Sequence, residues 1–237
     1  MKTTMLVIFD VDGTLTPSRA RIDEQFRLWL LNDMTLPFIL ITGSDAPKTR
    51  EQIGDDLYDS TTVYNCTGNH IFDRGVEQYK SNWRISETVE HLLQRELGLS
   101  NWPIKTGNHI EHRVGMCNFS LVGRNATLNQ RKAYYQHDQK TNDRIRIAQL
   151  IMEECSDTEA GVAGETGIDI YQRGTGKDQL IKYVTGQEPL IFFGDRMDPA
   201  GNDYSLAQAI KIGNLGNSHA VRHWQETWDI LRSMVSK

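Results

Sequence analysis

Short apolar runs separated by amphipathic stretches dominate the first and last thirds of this chain. Residues 5–9, 38–41 and 190–193 contain no polar side chain, which is typical of strands buried on both faces of a parallel sheet. Asp23 precedes apolar residues at helical spacing, which predicts a helix between the first two runs. Strands that alternate with helices indicate βαβ units. The sequence therefore predicts an α/β fold.

Weaker patterns extend this arrangement. Residues 61–66 predict a third strand, residues 71–80 predict a hairpin, and residues 178–184 predict a helix before the last apolar run.

The pattern changes between about residues 82 and 174. A helix is predicted over residues 86–97, a strand over 110–122, a long polar helix over 128–155 and a strand over 167–171. We therefore predict two domains. Residues 1–81 and 175–237 form the core domain, and residues 82–174 form an inserted α+β domain.

Composition narrows the function classes. The 237 residues include 31 acidic and 26 basic side chains, for a net charge of −5 without a long block of one sign, so a nucleic-acid partner is not expected. The three cysteines form no C-x-x-C pair and are typical of reduced thiols. Asp10 ends the first apolar run, and no later run reaches membrane-spanning length. We expect a cytoplasmic protein with no membrane partner.

Two carboxylates, Asp10 and Asp12, follow the first strand, and Gly13 comes next. Side chains two residues apart on a strand share a face, and parallel sheets bind ligands at the carboxyl ends of their strands. One carboxylate can attack phosphorus while the other transfers a proton. A plain turn is the alternative reading, whereas an EF-hand calcium loop is excluded because Leu15 stands where that loop needs glycine. The pattern favours a phosphoryl-transfer site.

Residues 9–16, Phe-Asp-Val-Asp-Gly-Thr-Leu-Thr, resemble the signature of the haloacid dehalogenase (HAD) superfamily. Within it, residues 42–45, 110–116, 122–124 and 192–195 resemble the eukaryotic-type phosphomannomutases in the same order. The resemblance implies a HAD-like Rossmannoid core with a parallel sheet, in which the inserted domain is a C2-type cap.

The resemblance also implies roles at the core. Asp10 would be the nucleophile that forms an aspartyl phosphate, Asp12 the general acid and base, and Lys177 the cation that neutralises the aspartyl phosphate. Thr42 and Ser44 both end the second strand, and either hydroxyl could donate to the phosphoryl group.

A magnesium site is expected beside the nucleophile, since Mg²⁺ prefers oxygen ligands. Asp195 ends the last apolar strand and would hold Mg²⁺ together with Asp10 and the carbonyl of Asp12. By resemblance, Asn202 and Asp203 belong to the metal loop, residues 196–203, although both also suit capping of the helix that follows.

The inserted domain contributes cations. Arg113, Arg124 and Arg131 resemble the mutase residues that bind the distal phosphate of a sugar phosphate, and Arg19 resembles an arginine on the core side. Guanidinium groups suit phosphate because they bind it with two hydrogen bonds. Asp169 resembles a family residue that binds sugar hydroxyls. Each arginine alone could equally be a surface charge.

Three positions depart from the mutase pattern. Thr106 stands where the mutases carry an arginine, Gly167 stands where they carry a serine, and Asp198 on the metal loop has no counterpart. The first two family residues touch the sugar phosphate, so the departures bear on substrate choice.

These features lead to three hypotheses. The first is a Mg²⁺-dependent hexose-phosphate mutase that converts mannose 6-phosphate to mannose 1-phosphate, with a hexose 1,6-bisphosphate as a candidate activator and a homodimer through the cap as a candidate assembly. The second is a sugar-phosphate or nucleotide phosphatase with the same chemistry. The third is a binding module without catalysis, which would have lost its nucleophile or lysine, and this chain retains both.

Overall fold

Two β-sheets organise the chain in the computed structural model, which describes residues 5–184, 186 and 189–235. In chain order the strands are β1 (Leu6–Phe9), β2 (Phe38–Ile41), β3 (Thr62–Asn65), β4 (His70–Asp73), β5 (Val76–Lys80), β6 (Ile110–Arg113), β7 (Met116–Phe119), β8 (Thr158–Ala163), β9 (Gly167–Gln172), β10 (Leu190–Gly194) and β11 (Gly216–Ala220). The helices are α1 (Glu24–Asn32), α2 (Ala46–Ile53), α3 (Asp55–Tyr58), α4 (Glu87–Leu99), α5 (Leu128–Thr141), α6 (Asp143–Glu154), α7 (Ile181–Val184), α8 (Tyr204–Ile212) and α9 (Trp224–Val235).

The larger sheet has seven strands in the order β11-β10-β1-β2-β3-β4-β5. The first five strands are parallel, and β4 and β5 add an antiparallel edge. Successive residues of β1 face opposite sides, so Phe9 belongs to a core cluster with residues of α1, α2, α3 and α9, while Ile8 belongs to a second cluster with residues of α7 and α8. Helices therefore cover both faces, as expected for strands without polar positions. The predicted α/β fold is confirmed.

The smaller sheet is antiparallel throughout, in the order β6-β7-β9-β8. One of its faces packs on α4, α5 and α6 through apolar side chains such as Phe119 and Ile170. The opposite face carries polar side chains, which are described with the site below. All of this sheet lies within residues 82–174, and all of the larger sheet lies outside them. The domain boundaries themselves stay a prediction.

The single strand predicted over residues 110–122 is wrong. The chain turns back after Arg113, so that β6 and β7 form a hairpin. Gly115 occupies the turn with a φ of +64°, and a Cβ there would lie 2.6 Å from the side chain of Asn69. Glycine is required because residue 115 has a left-handed backbone conformation and the turn lies against Asn69, outside the smaller sheet.

The single helix predicted over residues 128–155 is also wrong. Asn142 separates α5 from α6 with a left-handed backbone, a conformation that asparagine tolerates. The Asp138 side chain fixes the break, since it accepts from the backbone nitrogen of Arg144 at 2.9 Å and from its Nε at 2.7 Å. Both side chains are buried. Over residues 178–184 the structure has a 3₁₀ turn, Lys177–Leu180, followed by the short α7.

Candidate active site

Three adjacent parallel strands of the larger sheet deliver polar residues to one edge. Asp10 follows β1, Thr42 follows β2 and Asp195 follows β10, and these strands are adjacent and parallel. Each side chain therefore emerges at the same carboxyl edge. The backbone nitrogen of Asp10 still donates to Phe193 O at 2.9 Å, which extends the pairing of β1 and β10 to Asp10.

Lys177 lies at the centre of this edge. Its Nζ donates to Asp10 Oδ1 at 2.5 Å and to Asp203 Oδ1 at 2.6 Å, and the residue is 1% exposed. Burial alone would lower the pKa of Lys177, but the charges of Asp10 and Asp203 outweigh it and raise that pKa. Lys177 therefore stays protonated and fixes the position of the Asp10 carboxylate.

Three carboxylates gather beside Lys177. Oxygens of Asp10, Asp195 and Asp203 lie within 4.8 Å of one another. Burial, followed by the charge of Asp203, raises the pKa of Asp195 to about 7, and burial raises the pKa of Asp10 against the opposing effect of Lys177. A divalent cation would relieve this repulsion, and an all-oxygen set suits Mg²⁺. The residues present fit such an ion.

The two metal-loop candidates differ in placement. Asp203 begins α8 as its N-cap residue, yet its side chain makes no capping bond. It accepts instead from Lys177 and, at 3.0 Å, from the backbone nitrogen of Arg196. Asn202 faces the cavity described below. Glycine permits the close approach at this loop, because a Cβ on Gly194 would lie 2.7 Å from Asp203 Oδ2.

The Asp12 carboxylate is held by donors that do not contact the acidic cluster of Asp10, Asp195 and Asp203. Its Oδ1 accepts from the backbone nitrogen of Arg19 at 2.6 Å and from Gln52 Nε2 at 2.9 Å, and its Oδ2 accepts from Ser44 Oγ at 3.3 Å. The Thr42 hydroxyl oxygen accepts from the backbone nitrogen of Ser44 at 3.1 Å. Sequence reasoning missed Gln52, whose only signal was a polar residue on an otherwise core-facing helix position.

The smaller sheet supplies the opposite wall. Glu111, Asn118 and Asp169 stand directly across from one another on β6, β7 and β9. Asn118 Nδ2 donates to Asp169 Oδ1 at 2.7 Å. Glu111 accepts from Arg113 Nε at 2.8 Å and also contacts Arg124 Nε. Sequence reasoning missed Glu111 and Asn118, because the register that aligns them is not visible in a single strand.

Arg113 connects the two sheets. Its Nη1 donates to Gly43 O at 2.6 Å, at the end of β2, and lies 4.0 Å from Asp169 Oδ1. Burial of the guanidinium alone would lower the pKa of Arg113, but the charges of Asp169 and Glu111 outweigh burial and raise that pKa. Arg113 therefore remains charged between the carboxyl edge of the larger sheet and the smaller sheet.

Arg19 and Arg131 are cations with few acceptors. Arg131 Nε is buried and has no hydrogen-bond partner in the described part of the chain, and Glu165 Oε2 lies 3.9 Å from it. Burial, and next the charge of Arg131, lower the pKa of Arg19. Burial, and then the charges of Arg113 and Arg19, lower the pKa of Arg124 to about 10. All of these arginines remain charged at neutral pH and create a strongly positive wall.

One cavity lies between the carboxyl edge of the larger sheet and the polar face of the smaller sheet. Its lining includes the predicted residues Asp10, Asp12, Arg19, Thr42, Ser44, Arg113, Arg124, Arg131, Asp169, Asp195 and Asn202. Lys177 and Asp203 lie behind Asp10, outside this lining. The structure thus brings all of the predicted site residues together around one acidic pole and one basic wall.

The departures from the mutase pattern have structural consequences. Thr106 donates its hydroxyl to Val122 O at 2.9 Å and lies outside the cavity lining. Lys105 next to it donates to Leu97 O at 2.7 Å, at the end of α4. Neither residue supplies the missing cation.

The comparisons with known proteins agree with this geometry. A family model for eukaryotic phosphomannomutases matches residues 30–237. The chain belongs to this family. A phosphomannomutase of Saccharomyces cerevisiae is 30% identical over 249 residues, covering 99% of this chain and 96% of that protein. A phosphomannomutase of Galdieria sulphuraria is 30% identical over 219 residues, covering 87% and 86%. The resemblance to this HAD family is confirmed, and the chain is a HAD-type phosphotransferase.

Solved structures support the fold alone. The C-terminal domain of a trehalose-6-phosphate phosphatase of Candida albicans is 14% identical with a TM-score of 0.68, covering 99% of this chain and 92% of that chain. An IMP-nucleotidase of Plasmodium falciparum with bound IMP is 14% identical with a TM-score of 0.67, covering 100% and 69%. Within the described residues, no helix has both the length and the apolar character needed to cross a bilayer.

Proposed function

We propose that this protein is a Mg²⁺-dependent phosphomannomutase that interconverts mannose 6-phosphate and mannose 1-phosphate through an aspartyl phosphate on Asp10. The observation that carries the proposal is the arrangement of Asp10 against Lys177 at 2.5 Å, facing a wall that holds Arg113, Arg124 and Arg131. One pole can exchange a phosphoryl group while the wall binds a second phosphate.

The reaction requires two transfers. The phosphoryl group on Asp10 passes to the O1 hydroxyl of mannose 6-phosphate, so that the Asp10–phosphorus bond breaks and a sugar 1,6-bisphosphate forms. Asp12 accepts the hydroxyl proton in this step. The bisphosphate then turns, and the 6-phosphoryl group passes to Asp10 while Asp12 returns the proton to the sugar oxygen. A hexose 1,6-bisphosphate would start the cycle by phosphorylating Asp10.

Other residues prepare these transfers. Lys177 balances the charge of Asp10, and Ser44 or Thr42 donates to the phosphoryl oxygens at the end of β2. Asp10, Asp195 and Asp203 would hold Mg²⁺, with Asn202 and the Asp12 carbonyl as further ligands, and the ion would neutralise charge on the phosphoryl group. Arg19 would assist the wall arginines, and Asp169 would bind sugar hydroxyls.

The remaining expectations belong to the same proposal. Residues 82–174 would act as a C2-type cap that excludes water during transfer, and a homodimer would form through this domain. The protein would act in the cytoplasm.

A phosphatase is the second candidate, and Thr106 is the observation that favours it. The family arginine at this position is replaced, and Lys105 points to the end of α4 instead. Weaker binding of the distal phosphate would favour hydrolysis of the aspartyl phosphate over transfer of a phosphoryl group between Asp10 and the sugar.

The deciding experiment follows phosphorus by ³¹P NMR. Mannose 6-phosphate, glucose 6-phosphate and nucleoside monophosphates are each incubated with the enzyme and Mg²⁺, with and without a hexose 1,6-bisphosphate. Conversion of a 6-phosphate to a 1-phosphate that depends on the bisphosphate supports the mutase. Release of inorganic phosphate without that conversion identifies a phosphatase.

A further inference from the structure

Asp198, the metal-loop residue without a family counterpart, lies where the two sheets meet. Its Oδ2 accepts from Arg196 Nε at 3.0 Å, and its Oδ1 accepts from the backbone nitrogen of Ala200 at 3.2 Å. Arg196 extends past it and donates from Nη1 to Gly164 O at 3.0 Å. Gly164 belongs to the β8–β9 loop, residues 164–166, which lines the cavity from the side of the smaller sheet.

The backbone of Arg196 is tied to the acidic cluster. Its nitrogen donates to Asp203 Oδ2 at 3.0 Å, and its oxygen accepts from the backbone nitrogen of Asp203 at 3.1 Å. Asp203 in turn receives the ammonium of Lys177, which holds Asp10. One residue thus contacts the acidic cluster through its main chain and the β8–β9 loop through its side chain.

A second contact joins the metal loop to strand β8, which precedes the β8–β9 loop. The backbone nitrogen of Val162 in β8 donates to Ala200 O at 3.1 Å, beside the position that Asp198 stabilises. The metal loop is tightly folded here, because a Cβ on Gly201 would lie 2.1 Å from Arg196 O. The two contacts therefore form one local closure between the metal loop and the edge of the smaller sheet.

We propose that Arg196, oriented by Asp198, is a positioning residue that latches the β8–β9 loop onto the metal loop and holds the substrate cavity closed. Arg196 has two donor positions in one planar group, so the bond from Nε to Asp198 directs Nη1 toward Gly164 O. The catalytic consequence rests on the proposed function, whereas the latch itself does not.

An ordinary surface ion pair is the competing explanation, and such pairs contribute little. The environment of Arg196 argues against it. The Arg196 side chain is only 19% exposed, compared with 51% for Asp198. Its second donor binds the backbone carbonyl of Gly164 in the β8–β9 loop. A hydrogen bond from a charged group at a partly buried site contributes more than an exposed pair.

A latch predicts consequences for both access and leakage. Phosphosugar must enter between the two sheets, and the cavity must then stay shut while a bisphosphate turns inside it. Loosening the closure would weaken retention of the sugar and admit water to the aspartyl phosphate. A small aryl phosphate, which needs only the acidic pole, would be indifferent to it.

The first test measures the closure without using activity. Amide hydrogen exchange is followed at Val162 in the wild type and in Asp198→Asn, Arg196→Met and the double variant. We expect exchange to accelerate about tenfold in both single variants, as for the loss of a hydrogen bond to a charged group. The double variant should exchange no faster than Arg196→Met alone, because the amide oxygen introduced by Asp198→Asn can still accept from Ala200, so that this change acts only through Arg196.

Asp56→Asn is the matched control. Asp56 pairs with Arg27 and its side chain is 55% exposed, close to the 51% of Asp198, but it lies in α3 away from the cavity. This variant should leave exchange at Val162 unchanged.

The second test uses turnover of the full-length enzyme. Asp198→Asn should raise KM for mannose 6-phosphate about tenfold and increase the share of phosphate released to water, with kcat for an aryl phosphate unchanged. Arg196→Lys should have a KM for mannose 6-phosphate between those of the wild type and Arg196→Met, since an ammonium group at this position can still donate to the loop.

The outcomes separate the two proposals. If the variants exchange faster at Val162 but the wild-type enzyme does not convert mannose 6-phosphate to mannose 1-phosphate, the latch is supported and the mutase is rejected. Exchange and KM that match the Asp56→Asn control in an active mutase would overturn the latch.

Discussion

Lys177 and Asp10 form a buried ion pair, with the ammonium nitrogen 2.5 Å from Asp10 Oδ1. The same ammonium holds Asp203 at 2.6 Å. Three carboxylates share this pocket, and Lys177 is the cation that both Asp10 and Asp203 contact. Its loss would leave buried charges without compensation.

The first prediction concerns Lys177→Met. Removing one partner of a buried charge network typically costs about 3–5 kcal/mol, so we expect the free energy of unfolding to fall by about that amount in the presence of chelator. Urea unfolding followed by circular dichroism measures the change. Lys182→Met, on the exposed surface of α7, is the control and should leave the free energy of unfolding unchanged. A loss below about 1 kcal/mol would mean that the carboxylates are already neutral in the folded protein.

The second prediction concerns Asp10→Asn. The amide keeps the size of the side chain but cannot form an acyl phosphate, so turnover should fall at least about 1000-fold. The expected covalent intermediate can be sought by intact mass after brief incubation with a hexose 1,6-bisphosphate. It should appear in the wild type and be missing from the variant. Retention of a near wild-type rate would reject Asp10 as the nucleophile.

The third prediction concerns pH and magnesium. Burial and Asp203 raise the pKa of Asp195 from 3.8 to about 7 in the folded protein. A carboxyl group with a raised folded pKa stabilises the fold while protonated, and this contribution is complete below about pH 3.8 and lost as the pH rises through about 7. Without metal, the Tm should therefore fall progressively as the pH rises from about 3.8 to about 7 and Asp195 ionises.

Magnesium should reverse this loss, because it binds the ionised carboxylates. The increase in Tm on adding Mg²⁺ should be larger at about pH 7.5 than at about pH 5. Asp195→Asn removes the titrating group and should reduce both the pH dependence and the effect of Mg²⁺. Equal stabilisation of wild type and variant by Mg²⁺ would exclude Asp195 from the metal site.

The fourth prediction concerns Arg124. Its Nε contacts Glu111 and its Nη1 donates to Asn118 Oδ1 at 3.4 Å, so it is held at the wall that would receive the distal phosphate. Arg124→Ala should lower kcat/KM for mannose 6-phosphate about 100-fold and hydrolysis of an aryl phosphate far less. Arg124→Lys keeps the charge without the planar fork and should be intermediate. Equal losses on both substrates would assign Arg124 to folding.

Much of the core could be predicted because its signals are local. Strands without polar positions, each followed by Asp10, Thr42 or Asp195, place those residues at one edge as soon as the sheet is parallel. The residues of the opposite wall depend on pairing between strands. Glu111 and Asn118 have no distinctive neighbours in the sequence, and only the register of the smaller sheet aligns them with Asp169.

The two elements predicted wrongly both contain a break that periodicity does not mark. The turn at Gly115 lies close to Asn69, which is distant in sequence, and the helix break at Asn142 is fixed by the buried Asp138–Arg144 ion pair. Periodicity continues through such points, because the flanking residues keep the same character on either side. Strand β8 and helix α9 were also not predicted, although β8 provides one side of the proposed latch.

The last prediction concerns Gly167, where the mutases carry a serine. A Cβ at this position would lie 2.7 Å from Asn118 Nδ2, so any side chain must displace Asn118. Asn118 holds Asp169 at 2.7 Å, and its displacement would leave the buried Asp169 carboxylate short of a donor. Gly167→Ala and Gly167→Ser should both raise KM for mannose 6-phosphate, by about tenfold.

A double variant isolates the cause. Asn118→Ala removes the closest neighbour of a Cβ at residue 167 and leaves Ala163 O at 3.3 Å, so adding Gly167→Ala should cost little beyond the single change. Steady-state kinetics on mannose 6-phosphate measures the effect, and circular dichroism confirms that each variant folds. A Gly167→Ser enzyme with a lower KM than wild type would show that Asn118 moves aside without loss, and that the serine hydroxyl binds the sugar phosphate directly in this chain.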